Sequence, residues 1–517
     1  MTTAAAHPVA VPGLRRNMVT ICAMTATIMQ ALDTTIANVA LPYMQGSLSA
    51  SQDQINWVLT SYIVAAAIMT APVGWIANRF GRKRIFILCS AGFTVASVLC
   101  GLSQDITQMV LFRLLQGVFG AALVPLSQAV MLDSYALHER AKAMSIWGMG
   151  VMMGPIMGPS LGAWLTETYS WHWVFFVNLP FGLITVIGLI IFMDETKLDT
   201  ELQFDWFGFT ALAVGIGALQ LALDRGEQLA WLESWEIKIE FIISAIGFYY
   251  FFAHSLTTKR PFIQFAIFRD RNFSAALVFM AVIGLVLFST MALASPLFQN
   301  AYGYPILTAG LLLATRGGGT FVAMMLVSRL MNWFEARTLI ATGLSLIAVT
   351  LYEMTMWTAD VQVSTIVINS VVQVFGLGLV FVPLSTAAFM TLPNHLRTDG
   401  TSMLTLVRNV ASSIGISVVI AELTSGTTRV HAVLTEHINP FNNALQMPNV
   451  TGTINLATDT GRAMMDLIVS AQAQIIAFSQ DFELVALVTI CAIPLVLILK
   501  STKAAMQAPS DHAAVME

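Results

Sequence analysis

The stretch Trp147–Gly162, WGMGVMMGPIMGPSLG, decides the class of fold that this chain adopts. A helix places residues that recur every four positions on one face. In a water-exposed helix each glycine or proline costs about 1 to 3 kcal/mol relative to Ala, whereas between transmembrane helices small residues let two backbones approach closely. The stretch therefore predicts a membrane helix, bent beside Pro155 and Pro159. One of its faces is a packing seam made of Gly150, Gly154, Gly158 and Gly162.

The composition is that of a membrane protein, since 56% of the 517 residues are hydrophobic and 10% are charged, against roughly 25% charged in soluble domains. Fourteen apolar runs approach the length of about 20 residues that crosses a bilayer. We therefore predict an all-α polytopic membrane protein. Its fourteen transmembrane helices lie near 17–41, 54–77, 85–103, 107–132, 141–165, 173–193, 206–223, 237–254, 274–298, 307–331, 338–357, 364–390, 401–424 and 483–500.

The distribution of positive charge predicts the orientation of these helices. An even number of spans places both termini on one side of the membrane. Most of the 25 Lys and Arg residues fall in segments that are cytoplasmic if the N-terminus is, and an excess of Lys and Arg marks cytoplasmic loops. We therefore predict that the N and C termini are both cytoplasmic.

An internal repeat divides the chain into two related parts. Gly120–Ser127, GAALVPLS, recurs as Gly378–Ser385, GLVFVPLS, and Arg140 after the first copy is echoed by Arg397 after the second. The copies lie eight predicted helices apart, which leaves two helices inserted between two halves of six. We predict a cytoplasmic N-terminus (1–16), an N-terminal half (17–195), two inserted helices (196–258), a C-terminal half (259–500) with an extracytoplasmic loop at 425–480, and a cytoplasmic tail (501–517).

The sequence contains no set of residues with the spacing of a catalytic site. Gly158–Gly162, GPSLG, matches the G-x-S-x-G pattern of hydrolases, but that pattern requires a strand before the serine. No G-x-x-x-x-G-K-[ST] phosphate loop occurs, so ATP hydrolysis is not expected. The four cysteines lie in apolar runs without metal-ligand spacing. We therefore expect neither an enzyme nor a metal or cofactor site.

The predicted loop at 425–480 contains an amphipathic stretch. Its apolar residues recur at helical spacing, at Met464, Ile468, Ala471, Ile475 and Phe478. One interpretation is a helix that lies on the membrane surface or on the protein's own outer loops. The other is a docking surface, within residues 460–479, for an extracytoplasmic partner. The sequence leaves both open.

Two charged residues lie deep in predicted membrane helices. Asp33 has Gln30 and Asn38 near its face, and Arg113 shares its face with Gln116. Charges at such depth are costly, so these residues are paired, neutralised or functional. A structural ion pair or a helix cap is the alternative for Asp33. Further residues that would line a substrate cavity, or pack in the core instead, are Phe288, Gln373, Phe381, Arg408 and Asn409; Arg316, before three glycines, is a weaker candidate.

Five segments together resemble the fourteen-helix drug:proton antiporters of the major facilitator superfamily. They are Leu32–Pro42, Trp147–Gly162, Trp171–Gly182, Leu221–Ser234 and Asn439–Phe441. In addition, Gly74–Lys83 resembles the cytoplasmic loop motif of the superfamily and Met109–Ala122 resembles the family's helix 4 motif. The resemblance implies a major facilitator fold of two six-helix pseudo-repeats plus two inserted helices. It also implies proton-driven export of hydrophobic drugs or toxic compounds across a bacterial inner membrane by alternating access. Uptake of a specific metabolite is the alternative function.

The resemblance also assigns roles to residues and suggests partners. It implies proton coupling by Asp33 and Arg113, and a seal between the two halves at the glycine helix. It implies a cytoplasmic gate around Gly74, Asn78, Gly81, Arg82 and Lys83. Asn78 departs from the Asp that is usual there, which puts a charged pair at that position in doubt, and Pro159 replaces a common glycine. The implied partners are a periplasmic EmrA-type adaptor and a TolC-type outer-membrane channel.

Overall fold

The computed structural model describes most of the chain. The described residues are 13–136, 139–196, 203–258, 261–393, 396–439 and 458–499, with Asn442, Leu445, Met447, Ile454 and Leu456. Expectations that fall on 1–12, on 137–138, on 394–395 or on the tail 501–517 lie outside the described residues, as does the Pro155 side chain.

The described part of the chain folds into seventeen α-helices at the positions of the predicted apolar runs. In order they are α1 Gly13–Ser47, α2 Gln52–Thr70, α3 Val73–Phe80, α4 Arg82–Gly101, α5 Ile106–Gly120, α6 Leu123–Ser134, α7 Arg140–Thr168, α8 Trp173–Phe176, α9 Asn178–Phe192, α10 Trp206–Arg225, α11 Trp235–Thr257, α12 Arg271–Pro296, α13 Ile306–Trp333, α14 Ala336–Met354, α15 Val363–Ala388, α16 Arg397–Glu436 and α17 Asp459–Ala492. The all-α prediction is confirmed.

The number of helices that can span a membrane differs from the predicted fourteen. Among the described residues, eleven helices are long and apolar enough to cross a membrane, and the pair α2–α3, bent by 57°, makes a twelfth. Helices α7 and α14, which the sequence counts as spans, are not among them. The total of fourteen spans therefore stays a prediction.

Prolines explain two of the predicted runs that split into a pair of helices. Pro125 has no N–H to donate to the carbonyl oxygen of Ala121 four residues earlier, and the chain breaks between α5 and α6 at 121–122. Pro72 lies at the break between α2 and α3. Each run thus forms two shorter helices, and the α2–α3 pair is bent by 57°.

The glycine face of α7 is a packing seam, as predicted, and its partner is α1. An added Cβ at Gly154 would overlap the backbone of Ala31, and one at Gly158 would overlap the Thr35 side chain. The Thr35 hydroxyl in turn donates a hydrogen bond of 3.1 Å to the carbonyl oxygen of Gly154. Helix α7 runs from Arg140 to Thr168 as one helix across its prolines.

The glycine face of α7 packs within the N-terminal half, while other positions of the same helix reach the C-terminal half. Helix α1 belongs to the same half as α7. Contact with the other half comes from different positions on α7, since Gly148 lies against Met324 and Phe381, and Ile156 lies against Gly317. The glycine spacing predicts a close contact between helices but does not identify which helix makes that contact.

The seam makes a testable distinction between two glycines of α7. We expect Gly154→Ala to destabilise the protein by about 1 to 3 kcal/mol or more, because its methyl group meets rigid backbone. Gly150→Ala is the matched control, since its methyl group meets the flexible end of Met24 at 3.1 Å and Ile28 at an ordinary contact distance of 3.7 Å. Thermal unfolding of the purified variants measures both, and equal unfolding temperatures would contradict the seam.

The inserted helix α10 contacts both halves of the bundle. On one side Thr60 of α2 donates a hydrogen bond to Asp224. On the other side Gln220 donates to the Ser413 hydroxyl of α16 at 2.9 Å, and Ser417 donates to the carbonyl oxygen of Leu223 at 2.7 Å. The insertion is therefore packed against the interface of the halves.

Helices α16 and α17 form a long hairpin where the sequence predicts a polar loop. They contain 40 and 34 residues, or roughly 60 and 51 Å, against a hydrocarbon core of about 30 Å. His431 and Asp466 join them at 3.0 Å. The amphipathic helix is confirmed, and the predicted Ile475 and Phe478 are buried, but nearer its start the buried residues are Met465 and Val469. The predicted apolar positions Met464, Ile468 and Ala471 are exposed because they face away from α16.

Candidate functional site

A buried charge network lies in the N-terminal half. The carboxylate of Asp33 is fully buried and accepts three hydrogen bonds. Arg113 donates to it from Nη1 at 2.7 Å, Gln116 donates from Nε2 at 2.7 Å and Asn178 donates from Nδ2 at 3.1 Å. The two charged residues that the sequence singles out thus form an ion pair, and predicted Gln116 joins them.

Helices α2 and α8 fix the guanidinium of Arg113 in place. Its Nε donates to the carbonyl oxygen of Val58 at 3.0 Å. Its Cζ lies 4.3 Å from the ring centre of Tyr62 and 5.7 Å from that of Phe175, distances at which a cation is attracted to an aromatic face. The hydroxyl of Tyr62 accepts a hydrogen bond of 3.3 Å from Gln30, so Gln30 borders the network while Asn38 is exposed.

Asn178 is a member of this network that sequence reasoning missed. It is fully buried and also donates to the Ser97 hydroxyl at 3.0 Å. The sequence did contain one indication of its role, because the amide of Asn178 lies in the apolar segment after Trp171. Polar side chains in membrane helices are usually paired or functional. What the sequence does not show is that the start of α9 faces Asp33.

The network has two chemically distinct states. With Asp33 ionised, the pair with Arg113 is neutral overall and its oxygens are hydrogen-bonded. Protonation of Asp33 leaves Arg113 charged, because a guanidinium keeps its proton in proteins. A buried charge that loses its partner is costly, so the ionised form of Asp33 and the ion pair with Arg113 stabilise each other.

In the C-terminal half the predicted cavity residues do not form one cluster. Gln373 accepts a hydrogen bond from Arg316. Arg408 donates to the side-chain oxygen of its neighbour Asn409 at 3.3 Å. Phe288 is partly buried. Phe381 is fully buried and stacks on Trp147 with ring centres 5.8 Å apart, so it packs between the halves.

The predicted gate residues meet the other half through two acids that the sequence analysis missed. Gly81 adopts φ 97°, a conformation that favours glycine, and leads into Arg82. Both Arg82 and Arg397 donate to Asp133, with Arg397 Nη1 at 2.7 Å. An added Cβ at Gly74 would overlap Asp399 of α16. Asp133 thus clamps the two halves together at this end.

Lys83 contacts residues of its own, N-terminal half. Lys83 donates from Nζ to the carbonyl oxygen of Ile190 at 2.9 Å, and its backbone N–H donates to Glu195 at 3.1 Å. Asn78 is partly buried.

Asp481 of α17 is a third buried carboxyl group that sequence reasoning missed. It is fully buried, and neither oxygen has a hydrogen-bond partner in the described part of the chain. Two residues earlier, Ser479 donates to the carbonyl oxygen of Thr355 just beyond α14.

Comparison with known proteins identifies the relatives of this arrangement. The sequence profile of the Major Facilitator Superfamily matches residues 23–416. The chain is 33% identical over 436 residues to the Multidrug export protein EmrB of Escherichia coli strain K12, covering 83% of this chain and 84% of that protein. It is 33% identical over 428 residues to the Fatty acid resistance protein FarB of Neisseria gonorrhoeae, covering 83% and 84%.

Two solved structures share the fold. The human organic anion transporter MFSD10 aligns with a TM-score of 0.57 and 13% identity over 92% of this chain and 99% of that one. A bacterial homologue of the human lysosomal transporter Spinster, in an inward-facing and unoccupied conformation, aligns with a TM-score of 0.53 and 18% identity over 94% and 98%. These likenesses concern the fold alone. With the profile match and the curated relatives, they show that this chain belongs to the major facilitator superfamily.

Proposed function

We propose that this protein is a proton-coupled antiporter that exports hydrophobic drugs or toxic compounds across the bacterial inner membrane. The observation that carries the proposal is the fully buried Asp33 with its three donors Arg113, Gln116 and Asn178. Relatives named for multidrug export and fatty acid resistance support export as the direction. The coupling ion is the proton, and no cofactor takes part.

The coupling follows from the two states of the Asp33 network. A proton that enters from outside releases about 2.3 kcal/mol per 100 mV of membrane potential. Its transfer to Asp33 removes the negative partner of Arg113 and destabilises the arrangement that pairs them. If substrate and proton favour different arrangements of the helices, each transport cycle exchanges substrate for proton.

Alternating access requires a gate that opens and closes. We assign the closed cytoplasmic gate to the clamp of Arg82, Asp133 and Arg397, with both chain termini on that side. Arg140 adds a second link, because its Nη1 donates to the carbonyl oxygen of Phe389 in the other half at 3.2 Å. Opening this end breaks the two contacts that cross between the halves, Asp133 with Arg397 and Arg140 with Phe389.

Transport by everted membrane vesicles tests the proposal. In such vesicles an exporter moves a hydrophobic fluorescent dye inward when respiration acidifies the interior. We expect dye accumulation that collapses when a protonophore dissipates the gradient. Dye movement in the opposite direction would indicate an uptake permease and would contradict the proposal.

We further propose that the hairpin of α16 and α17 docks an EmrA-type periplasmic adaptor, which joins a TolC-type outer-membrane channel. The support is the exposed apolar face of α17, where Leu467 is 70% exposed, Met464 45% and Ile468 42%. An apolar face that lies outside the membrane is not covered by lipid. Exposed apolar patches of this kind mark interaction sites.

Substitution of this face separates docking from transport. We expect Leu467→Ser with Ile468→Ser to weaken adaptor co-purification and whole-cell resistance, because the apolar contact is lost. Transport in everted vesicles, which does not depend on the adaptor, stays unchanged. Equal losses in cells and vesicles would show that the hairpin serves the transporter's own fold. Gln472→Ser, also exposed on α17, is the control.

A further inference from the structure

The inserted helix α10 lies between α2 of the N-terminal half and α16 of the C-terminal half. Leu212 and Ile216 are buried in the middle of α10. They belong to one apolar cluster with Ala67 of α2 and Leu406 of α16. Toward the end of α10, hydrogen bonds join it to both of these helices. Because α10 contacts helices of different halves, a movement of one half relative to the other must change some of its contacts.

The contacts of α10 with α2 involve charged groups. The carboxylate of Asp224 accepts a hydrogen bond from Thr60, and the guanidinium of Arg225 lies 5.4 Å from the ring centre of Trp57. Hydrogen bonds to a charged group are stronger than those between neutral groups, and a cation at this distance is attracted to an aromatic face. These contacts favour a fixed attachment of α10 to the N-terminal half.

The contacts of α10 with α16 are hydrogen bonds between neutral groups. Gln220 donates from Nε2 to the Ser413 hydroxyl at 2.9 Å, and the Ser417 hydroxyl donates to the carbonyl oxygen of Leu223 at 2.7 Å. A serine hydroxyl in a helix can also donate to the carbonyl oxygen four residues earlier, as Ser413 does to Asn409 at 3.2 Å. Both serines therefore have an acceptor within α16 if α10 moves away. These contacts can break and form again more easily than those with α2.

The hydrogen bonds between α10 and α16 lie far from the clamp of Arg82, Asp133 and Arg397. Ser417 and Arg397 belong to the same helix α16 and are roughly 30 Å apart along its axis. On α10 the bonded residues lie in the last two turns, which end at Arg225. Since the clamp is assigned to the cytoplasmic end of the bundle, the contact between α10 and α16 lies toward the extracytoplasmic end.

We propose that α10 is part of the extracytoplasmic gate. It moves with the N-terminal half, and an α10–α16 latch formed by Gln220, Leu223, Ser413 and Ser417 holds the two halves together at this end. Opening of the extracytoplasmic end breaks the latch and leaves the contacts with α2 intact. The inserted helix thus takes a direct part in alternating access. The latch rests on the proposed transport function for alternating access, but not on the direction of transport or on the coupling ion.

Reversible cross-linking tests which contacts of α10 change during transport. With the four native cysteines replaced by alanine, one variant carries Gln220→Cys and Ser413→Cys across the latch. The other carries Ile68→Cys and Gly217→Cys between α2 and α10, where an added Cβ at Gly217 would lie 3.1 Å from the Ile68 side chain. A short bis-methanethiosulfonate reagent joins each pair of cysteines, and a reducing agent releases it.

We expect the cross-link across the latch to abolish dye transport in everted vesicles, because the extracytoplasmic end can no longer open. Release of the cross-link restores transport, which shows that the variant is folded. The cross-link between α2 and α10 leaves transport unchanged, because these helices move together. Continued transport with a cross-linked latch, or loss of transport when α10 is joined to α2, would overturn the proposal.

Removal of the latch hydroxyls tests the same inference without a transport measurement. Spin labels at Leu102, just beyond α4, and at Met356, just beyond α14, report on the two halves at the extracytoplasmic end, and both positions are exposed. We expect Ser413→Ala with Ser417→Ala to raise the population with the longer label distance by about fivefold, because two hydrogen bonds between helices are lost.

The matched control is Ser412→Ala, since the Ser412 hydroxyl donates to the carbonyl oxygen of Arg408 in its own helix. We expect this control to keep the label distances of the unaltered protein. The same shift in the control, or an unchanged distance distribution in Ser413→Ala with Ser417→Ala, would overturn the latch. The label distances do not depend on the dye, so dye movement in the uptake direction would contradict the export proposal and leave the latch intact.

Discussion

Asp33→Asn is expected to abolish proton-coupled export while the protein still folds and inserts. Asn keeps the shape of the side chain and still accepts hydrogen bonds, but it cannot take up or release a proton at this position. It also leaves Arg113 without a negative partner in a site where both side chains are buried, 1% and 0% exposed. We expect dye accumulation in everted vesicles to fall to the level of vesicles without the transporter.

The matched control for this substitution is Asp360→Asn. Asp360 is exposed between α14 and α15, so the same chemical change there leaves transport intact. Dye binding and the amount of protein in the membrane separate loss of coupling from loss of folding. Transport at the normal rate by a well-inserted Asp33→Asn variant would show that the proton is carried elsewhere, with buried Asp481 as the next residue to examine.

The second large effect is expected at the clamp between the halves. Asp133→Asn removes the charged acceptor shared by Arg82 and Arg397 and leaves two buried guanidinium groups facing each other. A hydrogen bond to a charged group contributes roughly 1.5 to 3 kcal/mol, and less here because Asp133 is 35% exposed. Since about 1.4 kcal/mol is tenfold in an equilibrium constant, we expect the cytoplasmic-open state to gain at least about tenfold in population.

Distances between spin labels measure this shift directly. Labels at Phe80 at the end of α3 and at Phe334 just beyond α13 report on the two halves at the same end, and both positions are exposed. Asp194→Asn is the control, because Asp194 pairs with Arg15 inside one half. We expect a longer label distance in Asp133→Asn alone. An unchanged distance distribution would show that other contacts hold this end closed.

The sequence was most informative where membrane physics leaves few choices. A span needs about 20 apolar residues, and for this reason helices lie at the predicted runs, although α16 and α17 extend into the predicted loop at 425–480. Depth in the membrane likewise singled out Asp33 and Arg113, since unpaired charges there are costly. The structure pairs them at 2.7 Å.

The sequence did not show which helices and side chains contact one another in the fold. The spacing of the α7 glycines defines a close contact, but α1 as its partner follows from how the helices pack. Asp133 lies at the end of an apolar run and gives no sign that it joins Arg82 to Arg397. The sequence also does not show which apolar residues are exposed. Met464 and Ile468, on the predicted apolar face of α17, are exposed in the structure.

The central claim is that export of a hydrophobic compound and entry of a proton are one process. Purified protein in proteoliposomes with a trapped pH indicator tests it, with a gradient of the dye imposed and no pH gradient at the start. We predict that dye movement drives protons in the opposite direction, and that Asp33→Asn abolishes this proton movement. Dye movement by the unaltered protein without any change in internal pH would contradict the account.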